Sequence, residues 1–572
     1  MVFYKQLINK PLVIKDKEIG NIDFCDSNYF NMSRLMSDIY RHNGFVKPSY
    51  VLNNVTKFLH ENEMLPAICF VFSRKMVEKY AKMISLNLID DSNDVEKLCH
   101  SIIKKIPNYH EYIETDEFKQ IVRLLRKGVA IHHSGLIPVM KEMIEFLFAQ
   151  GRVKLLFATE TFAVGVNMPT KTVLFANLQK INNGGTFRKL LPQEYTQMAG
   201  RAGRRGLDPI GHVIHLTNLI RDVPSHQEYR QIISGNSQQI ISKFKIHNNL
   251  ILRLINANTS LNDFTTTSMI THEIGKEVKE YEKQLTELNK KNVSVTPSDD
   301  ILEYHELFKE YNFNGFSNKH KKINKQMKLL EGKVPNLIAE HKKYVKMLSN
   351  KREIEECEER VRNTKNYIIE TIDIIKNQLL EDMFVENSDE SFKLTPLGYS
   401  ATHIQEGHSL ILAELLMRES FRSLDINDII SVISVFVQVR TKETPQISLL
   451  KDKLYYNEIK YISERNDYFK AKDERYMLDV GEDYTFQTQL CEPVSLWLTL
   501  NTPAECDNFL REMTTSGVFT GEFIKAILKI NAMAKELSAV CDVHNYIELK
   551  QKLDKVPEIT MKHVVSNVSL YV

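Results

Sequence analysis

At 572 residues, with 43% hydrophobic and 26% charged side chains, the chain is too long for one core and too apolar for a disordered polymer, so about three or four folded domains are expected. Lysine and arginine total 75 against 73 acidic residues; the resulting +2 excludes a globally basic nucleic-acid binder and confines any positive footprint to local patches. The 7 cysteines form no C-x-x-C pair, the amino-terminal apolar stretch is interrupted by charges, and no apolar run approaches about 18 residues, so a zinc site, a disulfide framework, a secretory leader and a membrane span are not indicated and an intracellular, reducing compartment is expected.

In chain order, VFYKQLINKPLVI suits a strand pair and LMSDIYRHNGF a short helix ending at Gly44; neither carries chemistry. LNNVTKFLHENEM has the spacing of an amphipathic helix, which Pro66 ends. AICFVF follows, a continuously apolar run of the kind that forms a buried parallel strand. The next helix starts near Ser73, which suits an N-cap. The strand GVAIHH, a helix from Pro138, the strands VKLLFAT and TVLFAN, a helix around Tyr195 and the strand HVIHL complete the series. Such alternation predicts an α/β domain with a parallel sheet, followed by a mostly helical region. Ligands bind beyond the carboxyl ends of such strands, which here carry Ser73-Arg74, His133-Ser134-Gly135 and Thr159-Glu160-Thr161.

The chemistry concentrates between Gly128 and Leu216, in the phrases GVAIHHSGL, LLFATETFAVGVNMP and QEYTQMAGRAGRRGLD. In the last, Arg201 and Arg204 are three apart, a spacing that puts both guanidiniums on one face of a helix. Two such forks beside glycines suit a polyphosphate, because guanidinium bonds phosphate oxygens bidentately and stays charged. A merely solvated basic helix is the weaker reading, since Gly200, Gly203 and Gly206 make a poor helix. Thr159 and Thr161 offer hydroxyls to a nucleic-acid phosphate, a contact that positions a strand without reading its bases. His132 and His133, at a strand end, are read as structural; no metal-ligand set is indicated.

These phrases resemble the second RecA-like domain of superfamily 2 helicases, and specifically the DExH-box RNA helicases of the superkiller/exosome-cofactor (SKI2-like) group. QMAGRAGRRGLD resembles helicase motif VI, ATETFAVGVNMP motif V and AICFVFSR motif IV. The resemblance implies catalytic roles for Gln197, Arg201 and Arg204, with the arginines as fingers on ATP held with Mg²⁺. It implies nucleotide contact by Gly165, Asn167 and Gly200, and RNA contact by Ser73, Arg74, Thr159, Glu160, Thr161 and Lys525. It places the protein in the cytoplasm or nucleus.

The resemblance continues to the carboxyl terminus and divides the chain. Residues 1–45 form a connecting segment and 46–219 the RecA-like domain. Residues 220–273 with 383–405 form a winged helix, begun by HNNLILRLINAN and closed by the strand FKLTPLGYSATHI. Within it, residues 274–382 form a helical stalk, a reduced form of the family's arch, offering a surface to a protein partner. Ile274, Val278, Tyr281, Leu285 and Leu288 make one heptad seam; Ile354, Val361, Ile368 and Ile375, with Leu379 beyond, make the returning one. A separate β-barrel head is not expected in the roughly sixty residues between them, and Lys319, His320, Lys321, Lys322 and Lys325 there read as a solvated face. Residues 406–572 form a DSHCT-like helical bundle, with Trp497 in its core.

A helicase motor also needs a G-x-x-x-x-G-K-[ST] phosphate loop and a DExH box. Neither occurs in these 572 residues, and Thr115-Asp116-Glu117-Phe118 is a poor acidic box. The expectation is therefore the carboxyl-terminal half of an ATP-dependent 3′-to-5′ RNA helicase, inactive by itself and dependent on a first RecA-like domain supplied by a split or truncated gene. A non-catalytic RNA-binding paralogue or scaffold, and a DNA helicase, stay open as alternatives.

Overall fold

The computed structural model describes residues 15–18, 21–41, 47–90, 92–165, 168–181, 186–219, 223–234, 245–259, 269–291, 296–313, 318–388, 391–441, 446–478 and 481–571. They belong to two compact units. One comprises Met1–Gln239, His403–Asn466 and Tyr484–Val572; the other comprises Ile240–Thr402 and Asp467–Asp483.

The first unit opens with an antiparallel pair, β1 (Lys15–Glu18) and β2 (Asn21–Phe24). The strand pair thus falls after VFYKQLINKPLVI, of which residues 1–14, like Gly44, lie outside the described residues. The helix Asp26–Arg41 begins earlier than the LMSDIYR phrase, because Tyr29, Met32, Met36 and Ile39 recur every three or four residues and all are buried.

The sheet that follows is built from β3 (Ala67–Phe70), β4 (Val129–His132), β5 (Leu155–Ala158), β6 (Thr172–Phe175) and β9 (His212–His215). A hairpin, β7 (Gln179–Ile181) with β8 (Phe187–Lys189), intervenes before β9. The strand order is β4-β5-β3-β6-β9 and every pairing is parallel, with Phe70 level with Ala158 and Phe175. Every residue of β3, β4, β5 and β6 is buried, which explains why they are apolar but for His132 and Thr172 at strand ends. The chain leaves β3 toward the β4 edge but leaves β5 toward β6, so the topological switch point, where such sheets bind ligands, lies at the carboxyl ends of β3 and β5.

The bundle of the first unit contains the helices Ser409–Met417, Ile426–Ile433, Cys491–Thr499, Pro503–Ser516, Thr520–His544, Ile547–Asp554 and Val556–Thr560. Trp497 is fully buried against Phe509 and Phe523, and its Nε1 donates to the Thr560 carbonyl at 2.8 Å. The helix His226–Ser234 packs in this unit as well. Its Tyr229 hydroxyl bonds His215 at the end of β9, an anchor that hydropathy does not reveal.

In the second unit, the helix Asn248–Asn256 packs with an antiparallel hairpin, β10 (Val385–Ser388) and β11 (Ser391–Leu394). The phrase FKLTPLGYSATHI is therefore extended only through Leu394. Thr395 accepts from the Gly398 amide at 3.1 Å, Pro396 takes the first helical position, and Pro396–His403 is helical. The helix Met269–Lys291 runs against one uninterrupted helix of 45 residues, Leu337–Glu381. Val278, Ile354, Cys357, Ile368, Ile375 and Leu379 are buried along them. Beyond that pair, Asp299–Phe313 and Asn318–Lys333 close a second small core around Ile301, Tyr304, Ile323, Met327, Leu330, Leu337 and Tyr344. The described residues between 269 and 381 contain no strand.

All 7 cysteines are unpaired, and all but Cys25 are buried. Among the described residues no helix is long and apolar enough to cross a membrane.

Candidate nucleotide and nucleic-acid sites

The arginine phrase does not continue a helix. Pro192–Ala199 is helical, Gly200 caps it, and Gly203 turns the chain with φ +88°. Arg201 and Arg204 therefore lie in the loop beyond, and the expected shared helical face does not exist. The loop is threaded against the start of β6: the Thr170 amide donates to the Arg201 carbonyl at 2.8 Å, and the Gly203 amide returns to the Thr170 carbonyl at 2.6 Å. Gly211 passes so close that a Cβ on it would lie 2.6 Å from the Ala202 carbonyl.

Each guanidinium has a partner of its own. Arg201 Nε donates to the Ala163 carbonyl at 3.1 Å, and its Nη2 reaches the same oxygen. Arg204 grips Asp208 with two parallel bonds, Nε to Oδ2 at 2.7 Å and Nη2 to Oδ1 at 2.9 Å. That fork holds the Asp208 carboxyl down to about 2. Both arginines are held in place but only partly covered. Gln197 is exposed on the preceding helix. Gly200 forms that helix's end, where a Cβ would crowd the Thr196 carbonyl at 2.9 Å. Gly165 closes the short helix Thr161–Gly165; Asn167 lies outside the described residues.

The arginine loop sits at the amino end of β6, whereas Ser73 and Thr159 sit at the carboxyl ends of β3 and β5. The short helix Thr161–Gly165 leaves the carboxyl end of β5 and brings the Ala163 carbonyl to Arg201. One segment therefore links the two edges.

At the carboxyl edge, Ser73 occupies the N-cap position of Arg74–Lys82 with extended backbone, but its exposed side chain makes no capping bond. Arg74 is ion-paired with Glu522 of the bundle and lies over the Phe519 ring at 5.6 Å. Thr159 and Thr161 join their hydroxyls at 3.0 Å. Glu160 is paired with Lys180 at 2.6 Å, and Lys180 also reaches Glu194 at 2.7 Å. Lys525 is exposed, and its pKa is lowered by partial burial and by the nearby charges of Lys141 and Arg74. Lys525, Lys141 and Arg74 thus gather three cations around the single carboxylate of Glu522. Glu522 and Phe519 are not legible as site neighbours in the sequence, because only packing of the bundle on the sheet brings them to Arg74, and Lys141 joins them through Lys525.

His132 and His133 are buried: His132 shares a 2.7 Å bond with Glu145, and His133 Nδ1 accepts from the Gly135 amide at 3.2 Å. Thr115 caps the helix Asp116–Leu125, and Glu117 accepts from the Ile137 amide at 2.8 Å, so TDEF serves the fold. Among the described residues no group of 3 or more His, Cys, Asp or Glu could hold a metal ion. The donor set suits one side of a bound polyphosphate, two arginines, without a glycine-rich cradle. Asp208 reaches Arg204 through the loop's turns at Gly203 and Gly206 and not through helical spacing.

Comparison with known proteins agrees with this arrangement. Residues 93–206 match the Helicase conserved C-terminal domain, and residues 391–567 match the DSHCT (NUC185) domain. The chain is 36% identical over 262 residues to Superkiller complex protein 2 of Mus musculus, covering 44% of this chain and 21% of that protein. It is 42% identical over 205 residues to Antiviral helicase SKI2 of Saccharomyces cerevisiae, covering 35% and 16%. It is 36% identical over 250 residues to Exosome RNA helicase MTR4 of Mus musculus, covering 41% and 23%. The chain thus spans less than a quarter of each of these relatives. With a match to a helicase carboxyl-terminal domain over part of a parallel sheet and a match to a DSHCT domain following it, the chain is similar to the carboxyl-terminal portion of SKI2-like DExH-box RNA helicases.

Proposed function

We propose that this chain is the carboxyl-terminal half of an ATP-dependent, 3′-to-5′ RNA helicase. The observation that carries the proposal is the anchored arginine loop at one edge of the sheet, linked by the Thr159–Thr170 segment to a hydroxyl- and cation-bearing edge at the other. ATP, with Mg²⁺, supplies the phosphoanhydride whose cleavage drives translocation, and a first RecA-like domain supplies the phosphate loop and the metal-binding carboxylates. Here Arg201 and Arg204 stabilise charge on the transferring phosphoryl group, with Gln197, Gly200 and Gly165 lining the same cleft; Asn167, outside the described residues, is assigned nucleotide contact by resemblance alone. Ser73, Arg74, Thr159, Glu160, Thr161 and Lys525 border the path of single-stranded RNA and hold its backbone. Because Arg201 is bonded to Ala163, a change of arginine position on phosphate release moves the segment that carries Thr159 and Thr161. The stalk, residues 274–382 in this reading, offers a surface to a protein partner, and the protein works in the cytoplasm or nucleus.

The test is RNA-stimulated phosphate release by the purified chain, alone and with a separately expressed first RecA-like domain. The expected result is silence alone, activity together, and at least about a thousandfold loss in the pair carrying Arg201→Ala. RNA affinity should stay within about twofold. Retained RNA binding with no activity in the pair would favour a non-catalytic binding module, and a preference for DNA would move the chain to the DNA-translocating enzymes.

A further inference from the structure

The carboxyl-terminal tail lies on the sheet-bearing part of its own unit through a series of specific polar bonds. Ser566 Oγ meets the Tyr112 hydroxyl at 2.7 Å. Ser569 Oγ donates to both oxygens of Glu142, at 3.0 and 3.1 Å, and the Leu570 amide donates to the same carboxylate. The Tyr571 hydroxyl donates to Glu145 Oε2 at 2.8 Å, with its ring near Phe146. Glu142 and Glu145 both belong to the helix Pro138–Ala149.

Glu145 does not end the series. Its other oxygen, Oε1, shares the 2.7 Å bond with Nε2 of buried His132. The His132 ring rests against Phe162 at 4.8 Å, and the His132 carbonyl accepts from the Thr159 amide at 3.1 Å. From Tyr571 to Thr159 every step is a hydrogen bond or the covalent frame of one residue. The carboxylate at the middle is only 12% exposed and the imidazole 7%, so the bond between these two is shielded from water, while Tyr571 itself stands at the surface.

We infer that Tyr571, Glu145 and His132 are positioning residues: through them the tail fixes the Thr159–Thr161 turn in the geometry that grips an RNA phosphate. The inference rests on the RNA-contact reading of Thr159 above. Loss of the Tyr571 hydroxyl leaves Glu145 Oε2 without its donor. The carboxylate is then freer to turn, His132 loses its fixed acceptor, and its ring no longer holds one position against Phe162, the residue next to Thr161. The bundle's carboxyl end thereby joins Glu522 and Phe519 in shaping the sheet's carboxyl edge.

The experiment compares the full chain with Tyr571→Phe, which keeps the ring and removes one hydroxyl. Amide hydrogen exchange is followed at Thr159–Ala163, and affinity is measured for a short single-stranded oligouridine. Tyr571→Phe is expected to speed exchange about tenfold and to weaken RNA binding about fivefold, with little change in Tm. Glu145→Gln, which also keeps its size, should act in the same direction and serves if Tyr571→Phe folds poorly. Ser566→Ala removes the tail's bond to Tyr112 and leaves the contacts to Glu142 and Glu145 in place, and should leave exchange at Thr159 unchanged. Unaltered exchange in both Tyr571→Phe and Glu145→Gln would overturn the inference. So would unaltered RNA affinity in these variants while Thr159→Val weakens it. If the unaltered chain does not bind oligouridine, the RNA reading itself falls, whereas the exchange data still decide whether the tail orders the turn.

Discussion

Arg201 shows how far a single residue can be read before its surroundings are known. Its identity and its glycine neighbours pointed to phosphate, but its bond to the Ala163 carbonyl depends on a loop thirty-eight positions away folding back past β6. His215 is a second residue whose behaviour comes from its neighbours. It stands between the hydroxyls of Tyr195 and Tyr229, and burial pushes its imidazole down to about 4. The folded form therefore resists a proton that the unfolded chain accepts near its ordinary value of 6.5. Stability is full above that value and falls as pH drops toward 4, by about 3 kcal/mol at the lower end. Urea midpoints measured at neutral and mildly acidic pH should show this slope in the unaltered chain. In His215→Gln the slope should be shallower, even if the variant is less stable throughout; an undiminished slope would assign the titration to another group.

At the scale of elements, periodicity located the long helices well, because a seam repeats many times and each repeat adds to the signal. Ile354, Ile368, Ile375 and Leu379 are buried in the helix Leu337–Glu381, and Val361 of the same seam is half-buried. Ile369, one position from the seam, is 53% exposed. Ile375→Ala should therefore cost about 2–5 kcal/mol in the transition that reports on this unit, and Ile369→Ala less than about 0.5. Chemical denaturation followed by far-UV circular dichroism would distinguish them, and equal costs would contradict the seam. Short elements were less legible. Thr395-Pro396 is a helix start that the preceding strand FKL masked, and the arginine phrase looked helical because spacing cannot show that Gly200 ends the helix and Gly203 turns the chain.

Across the molecule, the first unit joins sheet and bundle at the edge where RNA contact is proposed. The Gly521 amide donates to the Gly135 carbonyl at 2.9 Å, and a Cβ on Gly521 would lie 2.1 Å from the Leu136 carbonyl. Gly521→Ala must push the helix Thr520–His544 away from the turn after β4 and strain the Arg74–Glu522 pair beside it. A loss of about 1–3 kcal/mol is expected, together with weaker binding of single-stranded RNA. A fully stable variant with unaltered affinity would show that this contact is slack. The sequence by itself determined the sheet's buried strands, the long stalk helices and the identity of the arginine phrase, because each is encoded locally, by hydropathy, period or residue type. Only the tertiary structure decided what those residues touch: Arg74 with Glu522, Arg201 with Ala163, Tyr571 with Glu145. Such pairs join positions remote in the chain, and a hydrogen bond or ion pair between remote groups is fixed by how whole elements pack.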